Sequence, residues 1–585
     1  MPLNLSFLPF LNRVEKSVLS AVEDEVEWFC LPAGQVLFEE GDDADAFYLV
    51  RSGALAAFRN GALNRPDLIG YIRAGEPVGE MSLLDESPHS ASVYALRDSE
   101  LVRMPKASFD RLTRKHASLM RELARMMLAR MRGHERRTGS DPKVFALVST
   151  SPTIDLAFRA GELKDALSRL GLTTAICDES CSEWSGQKLD ALEIEHDIVL
   201  LTARMGDHTW ARRAMGRADR MWLFARADAH PSVPLLPEDP SPAAKLKLLD
   251  VVLLHFGGVS AVVRPQEWAD AAEAGRLFHW RQESNRADAE HLARTIAGRS
   301  VGLVVSGGGA RAYAHIGAVR ALRESGIPFD FLGGSSMGAI IAAGVGMGWS
   351  DDELERRIRK TFVESNPLDD WVLPVVSLAR GHKVDNRLIE HFDNTEIADL
   401  SRPFFCLSSN LANGKPYVHR RGRVRDALRA SIAIPGLLPP VVQNGDILVD
   451  GAVFTNFPAR EMKAFHRGAV VGVDVTRAEG LNPDDFKNPP SFFGWVRHNG
   501  LHSLPPIASL LMRAATLGVA DHHNVGRDAT DLLVLPETDV EIRDWERFDD
   551  VVEAGYEATM KELSTSKAKL KRKLGIAEMR DVAAQ

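Results

Sequence analysis

The stretch FDFLGGSSMGAIIAAGVGMG, from Phe329 to Gly348, leaves the chain little choice of local structure. A short apolar run, Phe329 to Leu332, ends on paired glycines, and a run of Ala, Ile, Gly and Val follows Ser336. That pattern reads as a buried strand turning sharply into a closely packed helix. Gly334-Ser335-Ser336-Met337-Gly338 fits G-x-S-x-G in this setting. A serine on such a turn is strained, and the flanking glycines remove Cβ atoms that would collide there. The next helix aims its N-terminal N–H groups and positive dipole end at the place where negative charge develops. Ser336 is therefore the candidate nucleophile.

Two further elements accompany it. VGLVVS, from Val301 to Ser306, reads as a second buried strand that ends in Gly307-Gly308-Gly309, with a helix expected from about Ala312 to Ser325. A glycine turn of this kind can cradle a dinucleotide, but position 312 is Ala where G-x-G-x-x-G needs its third glycine. The same exposed N–H groups can instead hold an oxyanion. A serine nucleophile also needs a base. NGDILVDGAVFTNFP places Asp450 at the end of a short strand, followed by Gly451. The rival chemistry is a Ser-His-Asp triad, for which His466, His498, His502, His522 and His523 follow Asp450, none in a recognisable catalytic loop. His315 reads as a packed helix residue.

With 585 residues the chain needs several cores. Residues 1–140 show period-two alternation at Val36, Phe38, Phe47, Leu49, Leu55 and Ala57, the pattern of a β-roll. They close with a helix-spaced apolar set (Leu123, Met126, Met127, Ala129, Met131) and a basic tail, Arg130 to Arg137, expected to be a solvated helix end. Residues 141–285 alternate apolar runs such as DIVLLTA and DVVLLHF with helical stretches, which predicts a middle α/β domain around a parallel sheet. Residues 296–480 carry the chemistry, and 481–585 form a C-terminal extension expected to pack on them. Within it, Phe492, Phe493, Trp495, Leu510, Leu511 and Met512 read either as core helix packing or as an interfacial patch admitting a lipid chain.

The net charge of −9 argues against a nucleic-acid partner. No run of 18 apolar residues predicts a spanning helix, and the N-terminus has no secretory pattern. Cytoplasmic residence is expected, with peripheral contact at the inner face of the membrane as an option. Cys30, Cys177, Cys181 and Cys406 read as free thiols, and Asp42 to Asp45 lacks EF-hand spacing, so no metal and no cofactor is expected.

Four motifs in order (GGGARA from Gly307, the elbow GSSMG, ASIAIPGLLPP from Ala430 to Pro440, and DGA at Asp450) make the chain resemble the patatin-like phospholipase family from about Gly302 to Asp474. The resemblance implies a three-layer α/β hydrolase domain and a Ser–Asp dyad in which Asp450 takes the proton of Ser336 directly. It also implies that Gly307, Gly308 and Gly309 supply oxyanion N–H donors, with Arg311 close to the developing charge. Ala312 stands where the family usually has Gly.

Residues 7–130 resemble the cyclic-nucleotide-binding domain family through Pro32, Gly34, Gly41, Asp42, Phe47, Tyr48, Gly53 and the cassette VGEMSLLDESPHSASV. That resemblance implies that Gly79 and Glu80 meet a ribose, while the cassette's short helix and an arginine after its proline bind the cyclic phosphate. Here His89 and Ser90 follow Pro88. A neutral imidazole offers one donor where a guanidinium offers a charged fork, so cyclic AMP and cyclic GMP are expected to bind weakly or not at all near neutral pH. Protonation of His89 would strengthen any residual binding in mild acid. The alternative role is docking or autoinhibition.

The order of the two modules is similar to the neuropathy-target-esterase branch of the patatin-like family. This implies hydrolysis of lysophospholipid and phospholipid acyl esters, possible regulation by the N-terminal domain, and a lipid substrate. The alternatives are a non-enzymatic regulatory scaffold and a general carboxylesterase with a Ser-His-Asp triad.

Overall fold

The computed structural model describes residues 22–574, apart from 61–65, 126–141, 236–248, 258–263, 478–524 and a few shorter stretches. The basic helix end at Arg130 to Arg137 and the apolar segment from Phe492 to Met512 therefore lie outside the described residues. The chain divides into two compact units, one built on residues 1–263 with short segments up to 290, the other on 291–585.

The first unit opens with two four-stranded antiparallel sheets. One orders Glu27–Leu31, Ser99–Pro105, Ala46–Ser52 and Pro77–Val78; the other orders Val36–Phe38, Ser92–Ala95, Ala54–Asn60 and Pro66–Arg73. Tyr48, Val50, Leu55, Val93 and Leu101 fill the space between them. Ala46 to Val50 are buried without alternation because the helix Lys106–Lys115 covers the outer face, Phe109 lying 5.3 Å from Phe47. Val36, expected inside, is 40% exposed: its strand has three residues and a register shift between Val36 and Phe38.

The same unit continues into six strands in the order Thr174–Cys177, Ile198–Arg204, Val144–Ser149, Arg220–Arg226, Leu249–His255 and Arg276–Arg281. The first five pair in parallel. Val144–Ser149 is buried at every position, as a parallel strand covered on both faces must be. The roll and this sheet share a unit because Asp98 N–H donates to Gly216 O at 2.9 Å and Arg97 reaches Glu193 at 3.2 Å.

The second unit is built on an eight-stranded mixed sheet. Its path runs Val441–Gln443, Asp446–Asp450, Phe404–Asn410, Phe331–Ser335, Ser300–Val305, Gly468–Val473 and Leu532–Val534, with Lys415–His419 paired to Phe404–Asn410 off that path. The strands from Phe404–Asn410 through to Leu532–Val534 are parallel, and Asp446–Asp450 is antiparallel to Phe404–Asn410. The register sets the site. Ser335 pairs with Leu407, which brings the next residue, Ser336, level with Ser408, and Ser408 pairs with Asp450. Ser336, just past the end of Phe331–Ser335, and Asp450, at the end of Asp446–Asp450, thus reach the same height on either side of Phe404–Asn410, at the carboxyl edge where open α/β sheets bind ligands.

Two helices of this unit cross at glycines. A Cβ on Gly317 would meet Val552 O, and one on Gly555 would meet Ala314 O, so Ala314–Glu324 and Phe548–Thr565 approach backbone to backbone.

Candidate active site

Phe331–Ser335 passes into the helix Ser336–Gly346 with no intervening loop. Ser336 takes up the turn at φ 51°, a left-handed conformation that costs a non-glycine residue about 1–3 kcal/mol. The glycines on either side are needed for contact, not for freedom of φ. A Cβ on Gly334 would lie 2.7 Å from Ala339 N, and one on Gly338 would lie 2.7 Å from Val305 O and closer still to Ser306 O. The Ser336 N–H donates to Ser431 Oγ at 2.9 Å, which fixes the elbow from a segment far along the chain.

Ser336 Oγ donates to Asp450 Oδ2 at 2.7 Å. The carboxylate is held by its own loop: Oδ1 accepts from Ala452 N at 2.8 Å, and Asp450 N–H donates to Ala433 O at 2.9 Å. Asp450 is 1% exposed, and this burial raises its pKa to about 6, against the pull of the Ser336 and Ala452 donors. A carboxyl that accepts a serine proton must be ionised, so activity should rise with pH through about 6 and level off above it. A kcat/KM profile on a soluble ester between pH 4.5 and 8.5 checks this; a lower limb near the ordinary carboxylate range would contradict it.

In the neighbouring glycine turn, Gly307 packs against Ser336, since a Cβ there would lie 2.8 Å from Ser336 Cβ. Its N–H is put to another use. It donates to Asn456 Oδ1 at 3.1 Å, while Asn456 Nδ2 donates back to Gly307 O at 3.1 Å and to Thr476 Oγ1 at 2.7 Å. Gly307 thus departs from the expectation for all three glycines: its donor is spent in a reciprocal clamp. Among the described residues, the N–H groups of Gly308 and Gly309 have no acceptor. Gly309 adopts φ 58° at the start of a 3-10 turn, Gly309–Tyr313, which also carries the buried Arg311. Ser306 N–H donates to Val473 O at 3.1 Å and Ser306 Oγ accepts from Val475 N at 3.0 Å, so the turn is pinned from the other side as well.

The histidines fall elsewhere. His315 is fully buried and donates from Nε2 to Ser306 O at 2.8 Å; burial lowers its pKa to about 4, so it stays neutral and supports the turn. His466 pairs with Ser300 Oγ at 3.0 Å, at the opposite end of Ser300–Val305 from the glycine turn. His498, His502, His522 and His523 lie outside the described residues.

In the N-terminal roll, Gly79 (φ 84°) precedes the helix Glu80–Leu84, and Glu80 is buried. His89 is 4% exposed, and its ring stacks on Phe38 with centroids 3.6 Å apart. A Cβ on Gly79 would lie 3.4 Å from His89 Cε1, so the imidazole sits over the start of that helix. Ser90 O accepts from Arg59 Nε at 3.3 Å. Burial pushes the His89 pKa down, against the raising influence of Asp42 and Asp45. Stacking and desolvation therefore oppose the gain of charge expected in mild acid and move it to lower pH.

Ser431 and Asn456 carry no signal of their own. Ser431 lies inside the Ala430 to Pro440 motif and Asn456 four residues past DGA, but each acts by a hydrogen bond to a backbone group far away in sequence, and nothing local announces that partner.

The patatin-like phospholipase family model matches residues 303–463, and the cyclic nucleotide-binding domain model matches residues 29–116. A protein of Mycobacterium tuberculosis named for the NTE family is 31% identical over 574 residues, covering 94% of each chain. A lysophospholipase of Aspergillus terreus is 26% identical over 93% of this chain, which spans 42% of that longer protein. Among solved structures, the catabolite activator protein of Thermus thermophilus is 26% identical over 28% of this chain and 70% of its own, with a TM-score of 0.21.

Proposed function

Because this chain belongs to the NTE family and carries a patatin-like phospholipase domain, we propose that it hydrolyses the acyl ester of lysophospholipids through an acyl–Ser336 intermediate. The observation that carries the reading is the 2.7 Å hydrogen bond from Ser336 Oγ to the buried Asp450 carboxylate. Asp450 accepts the hydroxyl proton as Oγ attacks the ester carbonyl. The N–H groups of Gly308 and Gly309 meet the oxyanion, and Arg311 adds positive charge close by. Collapse breaks the ester C–O bond, and the leaving alcohol takes the proton from Asp450. A water molecule then repeats the sequence on the acyl–serine, losing its proton to Asp450 and releasing a fatty acid. Labelling with a fluorophosphonate, followed by assay of fatty-acid release from lysophosphatidylcholine, tests this. A labelled Ser336 with fatty-acid release supports it, and a chain that neither labels nor releases fatty acid is the scaffold instead.

No helix of the described residues is long and apolar enough to cross a membrane. Leu373, Val375 and Val376 are 84%, 94% and 66% exposed on a loop tied to the site, since Leu378 and Ala379 donate to Gly436 O and Leu437 O just beyond Ser431. Such an aliphatic tip fits peripheral contact with a lipid surface.

The N-terminal roll is read as a docking or inhibitory element, supported by the Phe38–His89 stack over Gly79. Isothermal titration of the full chain with cyclic AMP and cyclic GMP should show no binding tighter than on the order of 10 µM at pH 7, and no gain at pH 6. Tighter binding at either pH would restore the sensor reading.

A further inference from the structure

The six-stranded sheet of the first unit holds a polar cluster that ester hydrolysis does not use. Val144–Ser149 and Arg220–Arg226 are adjacent parallel strands, and the chain continues from the first toward one edge of the sheet and from the second toward the other. At such a switch point an open α/β sheet binds ligands, beyond the carboxyl ends of its strands. Ser149 ends its strand paired with Phe224, is 1% exposed, and has no partner for its Oγ. The Phe224 ring lies 6.2 Å from that of Trp280, and the Arg159 guanidinium lies 4.7 Å from the Trp280 ring centroid. Arg159 belongs to the helix Leu156–Arg169, into which the loop after Ser149 leads. Ser149, Phe224 and Trp280 thus face the side of the sheet that this helix covers.

Arg159 is 8% exposed, yet it forms no ion pair among the described residues. Its Nη1 donates to Asn285 Oδ1 at 2.7 Å, while Nε and Nη2 have no acceptor there. Burial lowers its pKa, against Glu162 and Asp155. Both carboxylates are engaged elsewhere: Glu162 Oε2 accepts from Asn285 Nδ2 at 2.7 Å, and Asp155 Oδ1 caps its helix by accepting from Phe158 N at 2.9 Å. A buried cation without a counter-ion is costly, and the Trp280 face offsets only part of that cost. Side chains lean toward the N-terminus of their helix, which brings the Arg159 guanidinium to the first turn of Leu156–Arg169. Its partner Asn285 is the first residue of the helix Asn285–Ile296. Two helix N-termini therefore meet at this guanidinium, each with first-turn N–H groups that no helical carbonyl can satisfy. The cluster offers several donors and positive charge, and what it lacks is an anion. A phosphoryl group brings three oxygens that can meet donors arriving from a strand end and from two helices, which the two oxygens of a planar carboxylate cannot. Phe158, 52% exposed and with its ring centroid 5.5 Å from the same guanidinium, marks the side open to solvent.

We propose that the carboxyl edge of this sheet, at Ser149, Arg159 and the start of Asn285–Ile296, binds the phosphoryl group of a phosphate or phosphate monoester. The test is isothermal titration of the full chain in phosphate-free buffer at pH 7 with inorganic phosphate, glycerol 3-phosphate and AMP, all largely dianionic there. At least one should bind with a Kd below about 1 mM, and the tightest identifies the source as free phosphate, a lipid head group or a nucleotide. Arg159→Gln, which removes the charge, should weaken that binding by about 10-fold or more. Ser149→Ala should weaken it by about 3-fold or more and leave the melting temperature unchanged, because the hydroxyl has no partner to lose in the ligand-free chain. A melting curve shows whether Arg159→Gln is folded, and if it is not, Ser149→Ala carries the test. Ser336→Ala should bind the same probe as the native chain does, which separates this site from the hydrolytic one. Absence of binding by all three probes up to about 5 mM overturns the site and leaves Arg159 a structural cation held by Trp280 and Asn285. Undiminished affinity in a folded Arg159→Gln chain, or in Ser149→Ala where that one fails to fold, places the phosphoryl group elsewhere and overturns it equally.

Discussion

Ser336→Ala should lower turnover of a soluble p-nitrophenyl ester by on the order of 10⁴-fold or more, and Asp450→Asn by about 10⁴-fold, with the fold retained in both. The two losses should not add, because the proposed mechanism makes the hydroxyl and the carboxylate one unit through the hydrogen bond between them. Stability separates this from simple damage. Asp450 has a pKa of about 6 in the folded chain against an ordinary 3.8. Below the unfolded value the group is protonated in both states and costs nothing. As pH rises through the window between the two values, the unfolded chain ionises first, and the folded state loses roughly 3 kcal/mol by pH 7. Asp450→Asn removes that buried charge, so its melting temperature at pH 7 should equal or exceed that of the native chain. A variant that loses activity and also melts many degrees lower would mean that Asp450 holds the fold together instead. Near-normal turnover by either variant would remove the dyad, and loss of activity on changing a histidine beyond Asp450 would favour a triad.

Much of this site was legible because backbone geometry restricts which residues are possible. Gly334, Gly338 and the small residues after Ser336 are written into the sequence because a Cβ at the two glycines has no room. Asp450 was legible through its motif, and its height beside Ser336 follows from strand register. The role of Gly307 was not legible, because the partner of its N–H is Asn456, and a backbone donor looks the same in sequence whether it is spent or free. His89 shows the same limit. The missing arginine is visible at position 89, but the burial that makes its imidazole a poor substitute comes from Phe38 on another strand. Tertiary neighbours set both outcomes, and local pattern carries no record of them.

Gly338→Ala is the smallest change expected to disable the chain without touching a reactive group. Inside a helix, glycine to alanine normally stabilises by up to about 1 kcal/mol. Gly161, in the helix Leu156–Arg169, should behave that way, since a Cβ there meets nothing within 4 Å. At Gly338 the added methyl meets the carbonyl oxygens of Val305 and Ser306, which are backbone atoms and cannot swing aside as a flexible side chain would. Either the helix Ser336–Gly346 lifts or the end of Ser300–Val305 moves. Both shift Ser336 relative to the glycine turn, because Ser306 leads directly into Gly307, and its carbonyl is also fixed by His315 Nε2 at 2.8 Å. Removing one oxyanion donor from such a site costs about 10²–10³-fold in turnover, and misplacing Gly308 and Gly309 together should cost at least as much. Gly338→Ala should therefore lose about 10²–10³-fold in kcat with a modest change in KM, while Gly161→Ala keeps native kinetics. Fluorophosphonate labelling should slow in parallel, since phosphonylation of Ser336 places its own anionic oxygen at the same N–H groups. Native kcat in Gly338→Ala would show that the elbow relaxes freely around the methyl, and that close contact between helix and glycine turn is not what positions the oxyanion donors.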